Sequence, residues 1–147
     1  MSLIEDRLRQ LGLELPPARA PVANYVSTKR SGDLLFVSGK VSDLRGEVGR
    51  EVTPAQAKAA ARNTALQLLA IIRRDLRDLD HVASVERMQG FVRGAPDFAD
   101  HPKVIDGASE LLVEVFGEAG RHARTATGAA SLPFGAAVQL DLVLRVE

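Results

Sequence analysis

The 147-residue sequence contains no cysteine and no tryptophan. The first absence removes disulfides, thiolate nucleophiles and cysteine-based metal sites together. It is compatible with a reducing cytoplasm, the location expected for this chain. Aromatic residues make up only 4% of the sequence, too few for the stacking platforms that hold single-stranded nucleic acid. Neither sign of charge prevails: 19 Lys and Arg face 19 Asp and Glu. There is thus no general attraction to nucleic acid or to an anionic membrane, and neither is expected as a partner. No apolar run approaches the roughly 20 residues needed to cross a bilayer. The opening "MSLIEDRLRQLGLEL" interrupts its apolar residues with acids and does not read as a signal peptide.

What is present suits one domain spanning 1–147 with a real core. Residues 2–12 place Ile4, Leu8 and Leu11 at helical spacing and stop at Gly12. Two strands are expected at 24–31 and 33–40, with Gly32 in the turn. The second is a continuous apolar run, which predicts a central strand buried on both faces. Residues 41–52 read as a polar loop. Thr53-Pro54-Ala55-Gln56 then combines a cap, a first-turn proline and a capping-box glutamine. The helix it starts should run to about Arg77, with Ala57, Ala61, Thr64, Leu68, Ile72 and Leu76 in one stripe. A third strand is expected at 84–94, with Gly90 as a bulge. The segment "APDFADHPK" reads as a loop, 103–116 as a second long helix, and 122–147 as a hairpin turning at Leu132-Pro133-Phe134-Gly135. This order predicts an α+β fold, one sheet with both long helices on one face.

In the last strand Val138, Leu140, Leu142, Leu144 and Val146 alternate with Gln139, Asp141, Val143 and Arg145. The apolar set should face the helices. With Pro133-Phe134 as a hairpin turn, Arg124 falls on the other face, with Gln139, Asp141 and Val143. A face so mixed in polarity is expected to be covered by another copy of the chain.

Arg124 is the foremost candidate functional residue. Its planar fork suits a carboxylate, and its small neighbours Ala126 and Gly128 leave room for one. The alternative is an ion pair within or between chains, for example with Asp141. Gln139 can orient a water or an amide, but a carboxamide is no general base. Ser38-Gly39 offers a hydroxyl and a close backbone approach, and Tyr25 is the only tyrosine. His81, His101 and His122 make no metal-ligand spacing, and the glycines form neither a dinucleotide fingerprint nor a Walker loop. No metal is assigned.

The segments "NYVSTKRSGDLLFVSGKV", "GFVRGAPDFADHPKVIDGASELLVEVFGEAGRHARTA" and "LPFGAAVQLDLVL", with the capped helix between the first two, resemble the RidA/YjgF family, also labelled endoribonuclease L-PSP. The resemblance runs from about Pro21 onward, and is strongest to a subgroup with an extra N-terminal helix. It implies a chorismate-mutase-like fold, a homotrimer with clefts between subunits, and no cofactor. It also implies hydrolysis of reactive 2-imino or enamine acids to 2-keto acids and ammonia. In that pattern Arg124 matches the clamp for the substrate carboxylate. Tyr25, Ser38 and Gly39 match lining residues, and Ala126 stands where many members have Cys. Asp106 or Ser109 falls near the family's helix Asn, and Gln139 replaces a Glu that positions water. A non-catalytic trimer binding small carboxylates is the second reading. RNA cleavage is disfavoured by neutral charge and few aromatics.

Overall fold

In the computed structural model, which describes residues 2–147, the elements run α1 (Leu3–Gln10), β1 (Thr28–Ser31), β2 (Leu34–Val41), α2 (Pro54–Leu76), β3 (Val82–Arg93), α3 (His101–Phe116), β4 (Ala123–Ala129) and β5 (Val138–Val146). The five strands form one mixed sheet in the order β1-β2-β5-β3-β4, and α2 and α3 cover one of its faces. This is the expected α+β architecture. Among the described residues no helix is long and apolar enough to cross a membrane.

The capping box of α2 is complete. Thr53 Oγ1 accepts from the Gln56 N–H at 3.1 Å, and Gln56 Oε1 accepts from the Thr53 N–H at 2.9 Å. Ala57, Ala61, Thr64, Leu68 and Ile72 are buried along the expected stripe. α3 begins at His101, two residues before the expected start, because Pro102 fits the first turn, where its missing N–H has no helical partner to lose. The two helices approach backbone to backbone. A Cβ added at Gly107 would lie 2.1 Å from the Lys58 carbonyl oxygen. α1 docks through its N-terminus, where Asp80 accepts from the Leu3 and Ile4 N–H groups and the Ser2 hydroxyl. Those backbone donors hold the Asp80 carboxyl below its usual range.

Val138, Leu140, Leu142, Leu144 and Val146 are buried beneath the helices, as the alternation predicts. The expected hairpin does not form. β5 lies between β2 and β3, antiparallel to both, while β4 pairs parallel with β3 at the sheet edge. β3, α3 and β4 thus make a parallel crossover unit, the geometry a helical connection allows. The apolar stripe of β5 requires the covered centre of the sheet. The small and polar residues of β4 suit an edge.

Other differences are local. β1 is shorter than expected, starting at Thr28, so residues 24–27 lie outside the sheet. β2 is buried on one face only: Phe36 is 45% exposed, because nothing among the described residues covers the side opposite the helices. Gly90 is not a bulge. Its pairing is regular, and a Cβ there would meet Ile105 at 2.7 Å, so its role is close helix approach. The register slips of β3 come earlier, between Val82 and Ser84 and between Val85 and Arg87. In the 41–52 segment Val48 is fully buried and bridges to Val52 and Gly94.

The α2–α3 contact yields a direct expectation. Gly107→Ala should lower stability by about 3 kcal/mol, the upper range for an overpacked core, because backbone on both sides must move. Urea denaturation of the two proteins measures it.

Candidate functional site

Four of the expected residues meet at one end of β2. Because β1 starts only at Thr28, residues 38–41 of β2 are flanked by the irregular segment 19–27. The Ser38 N–H still donates to the Ser27 carbonyl, at 2.9 Å. A cavity of about 850 Å³ opens here, and Tyr25, Ser38, Gly39 and Gln139 line it. The Ser38 hydroxyl donates to the Val26 carbonyl at 2.6 Å, which ties the loop to the strand and engages its only proton. Gln139 lies across Gly39: a Cβ there would stand 3.3 Å from Gln139 Nε2. Tyr25 is 43% exposed.

Sequence reasoning missed the rest of this wall. Arg19, Lys40, Asp43, Arg45, Ile71 and Phe134 also line the cavity. Phe134 has φ 60° and ψ 17°, a left-handed conformation unusual for a non-glycine residue, and its side chain is 62% exposed at the cavity. Arg19 grips Asp43 through two bonds of 2.7 and 3.2 Å, and Gln67 Nε2 donates to the same carboxylate at 3.0 Å. The Arg19 bond holds the Asp43 carboxyl below its usual range, with burial opposing. Polar residues in an apparent loop gave no sequence signal for this convergence.

Arg124 is elsewhere. It pairs with Met88, which also pairs with Leu142, and both of those are buried under the helices. Arg124 therefore sits on the helix side of the sheet, not with Gln139, Asp141 and Val143. The expectation failed because it assumed a hairpin; the intervening β3 changes the parity. Gln139 and Arg124 lie two strand spacings of about 4.8 Å apart, three residues apart along the strands, and on opposite faces. One small ligand cannot touch both within one chain.

α3 fixes the guanidinium. Nη1 donates to Asp106 Oδ1 at 2.7 Å and to Ser109 Oγ at 3.1 Å, and Nη2 donates to the Pro102 carbonyl at 3.4 Å. Both residues weighed for the helix position thus touch Arg124. The ion pair is with Asp106; Asp141 has no part in it. Behind it, Ser109 Oγ lies 2.9 Å from His122 Nε2, and His122 Nδ1 lies 2.7 Å from the Gly120 carbonyl. A carbonyl only accepts, so Nδ1 carries a proton. With a neutral imidazole, Nε2 accepts from Ser109, whose oxygen then accepts from Arg124. Among the described residues Nε–H and the second N–H of Nη2 have no partner, which leaves two donors for a carboxylate. The side chain remains 21% exposed. Ala126 pairs with Gly90 on the same face and packs against the core.

Asp141 stands on the open face, where burial pushes its carboxyl above the usual range and the charge of Arg87 opposes. A raised folded pKa contributes stability at acid pH, below the unfolded value, and that contribution is lost as pH rises through the folded value. Asp141→Asn should therefore melt higher than the parent near neutral pH. The gap should close at strongly acid pH, as thermal denaturation at both conditions would show.

Residues 5–144 match the family model "YjgF/chorismate mutase-like, putative endoribonuclease". The chain is 43% identical over 151 residues to Protein TCP17 of Trypanosoma cruzi, covering 98% of this chain and 94% of that protein. It is similar to the crystal structure of Atu1372 from Agrobacterium tumefaciens, with TM-score 0.90, 43% identity and coverage of 98% and 92%. Its fold is also that of E. coli TdcF with bound serine, with TM-score 0.64, 18% identity and coverage of 91% and 97%. The matched model spans nearly the whole chain, and on that ground the chain belongs to the YjgF/RidA family.

Proposed function

We propose that the chain acts as a homotrimer that hydrolyses small 2-imino or enamine acids in clefts shared between copies. Arg124 of one copy would face Tyr25, Ser38, Gly39 and Gln139 of the next. The observation that carries this reading is the division of the candidate residues. A guanidinium with donors to spare lies at one edge of the sheet, and a cavity lacking that guanidinium lies toward the other. Contact of one edge with the opposite edge of a second copy is heterologous, and such contacts form a ring when the rotation between copies closes. The serine held by TdcF is a small molecule bearing a carboxylate and an amine, in keeping with this class of ligand.

The chemistry asks little of the protein. The imine carbon is already electrophilic. Arg124 holds the carboxylate, and orientation lowers the barrier. Water adds to the C=N bond, its proton passes to nitrogen, and collapse of the carbinolamine releases ammonia and leaves the keto acid. Gln139 Oε1 can accept from the attacking water and so place it, but cannot take its proton. That carboxamide favours the second reading, a binder of small carboxylates without turnover.

Ammonia and keto-acid release from freshly generated 2-iminobutanoate tests the proposal. Arg124→Ala should reduce kcat/KM by about tenfold to a hundredfold, the scale of a charge-assisted hydrogen bond of roughly 1.5–3 kcal/mol. Equal rates would remove Arg124 from the mechanism. Binding of 2-oxobutanoate without turnover of any imine would select the binder instead. Light scattering should give the mass of a trimer, and a monomer would contradict the shared cleft.

A further inference from the structure

The cavity beside β2 holds more positive charge than the proposed reaction uses. Arg19, Lys40 and Arg45 line it against one carboxylate, Asp43. Arg19 is already engaged with Asp43. Among the described residues neither Lys40 nor Arg45 has an ion-pair partner or a side-chain hydrogen bond. Two cations thus border the same space without an ion-pair partner among the described residues.

The backbone sets the direction of Lys40. Between Val37 and Lys40 β2 advances three residues while β5 advances two, from Leu142 to Leu140. That extra residue is a bulge, a device that re-aims a side chain. It places Lys40 opposite Leu140, on the helix side, where Ile71 of α2 also borders the cavity. Regular pairing would have turned Lys40 to the other face. Burial pushes the Lys40 ammonium below its usual pKa, the charge of Arg19 adds to this, and Asp43 opposes it. An ammonium so placed gains from an anionic ligand.

We propose that Lys40 and Arg45 form a second anion subsite, so that the ligand of this cavity carries an anionic group remote from the carboxylate held by Arg124. The class is a dicarboxylic or phosphorylated 2-imino acid and its keto product. The inference rests on the shared-cleft reading above. The two cations would select against ligands with a short apolar tail, because a neutral tail leaves them without a partner.

Calorimetric titration with 2-oxobutanoate, 2-oxoglutarate and 3-phosphooxypyruvate tests it, and the latter two distinguish carboxylate from phosphate. At least one of them should bind about tenfold more tightly than 2-oxobutanoate, the scale of one charge-assisted hydrogen bond. The Lys40→Met/Arg45→Met double variant should lose that preference, and Lys40→Arg should keep it. Arg45→Glu, a surface change that spares the strand, should reverse it. If 2-oxobutanoate binds and Arg124→Ala abolishes that binding, yet neither dianion binds more tightly, the subsite is wrong and the shared cleft stands. A preference that survives the double variant also overturns the subsite. Dianion binding that ignores Arg124→Ala but needs Lys40 overturns the clamp and keeps the subsite. If no keto acid binds, both fall.

Discussion

The position of β5 governs the rest of the molecule. Its five alternate apolar side chains are buried only if both long helices lie above them, so the strand must occupy the centre of the sheet. The last strand of the chain therefore inserts between β2 and β3, and β4 is left at the edge. This one constraint separates Arg124 from Gln139. Arg124 is carried to the outer margin beside α3, and the cavity residues gather at the far end of β2.

Each half is built with care for its polar groups. Arg124 is held by a carboxylate, a hydroxyl and a carbonyl from α3, and a histidine behind the hydroxyl orders that contact. Such a network fixes one guanidinium edge and leaves another open. At the cavity, Asp43 organises Arg19 and Gln67, while Lys40 and Arg45 have no ion-pair partner among the described residues. The open face between the halves carries Phe36 and Val143 side by side, with Asp141 nearby in a site that favours its neutral form. Apolar exposure together with a poorly solvated carboxyl is the signature of a face awaiting cover, which supports the proposed assembly.

Much of this was legible in the sequence. The Thr53–Gln56 box, the Ala-rich stripe of α2 and the alternation of β5 report local physics, and each gave the right element and the right buried side. The helix start at His101 was obscured because a proline there reads equally well as loop or first turn. The hairpin error was of another kind. Strand pairing is decided by which strand most needs burial, and two strands joined by a tight turn look adjacent until a third is found to fit between them. That error alone placed Arg124 on the wrong face. The family resemblance still led to the cavity residues, since Tyr25, Ser38, Gly39 and Gln139 do converge. Lys40 could not have been found, because its direction depends on a bulge that has no sequence signature beyond Gly39.

The central claim is that a working site needs two copies of the chain, and subunit mixing tests it most directly. Arg124→Ala removes the clamp, and Gln139→Trp fills the cavity. Each variant alone should bind 2-oxobutanoate at least about tenfold more weakly than the parent. Co-expressed in equal amounts, they should recover about a quarter of the parent's sites at the parent's affinity, since a closed ring of random subunits pairs an intact Arg124 with an intact cavity at that frequency. Calorimetric stoichiometry on the mixed assembly reads this number. No recovery in a properly assembled mixture, or full binding by either variant alone, would contradict a cleft shared between copies.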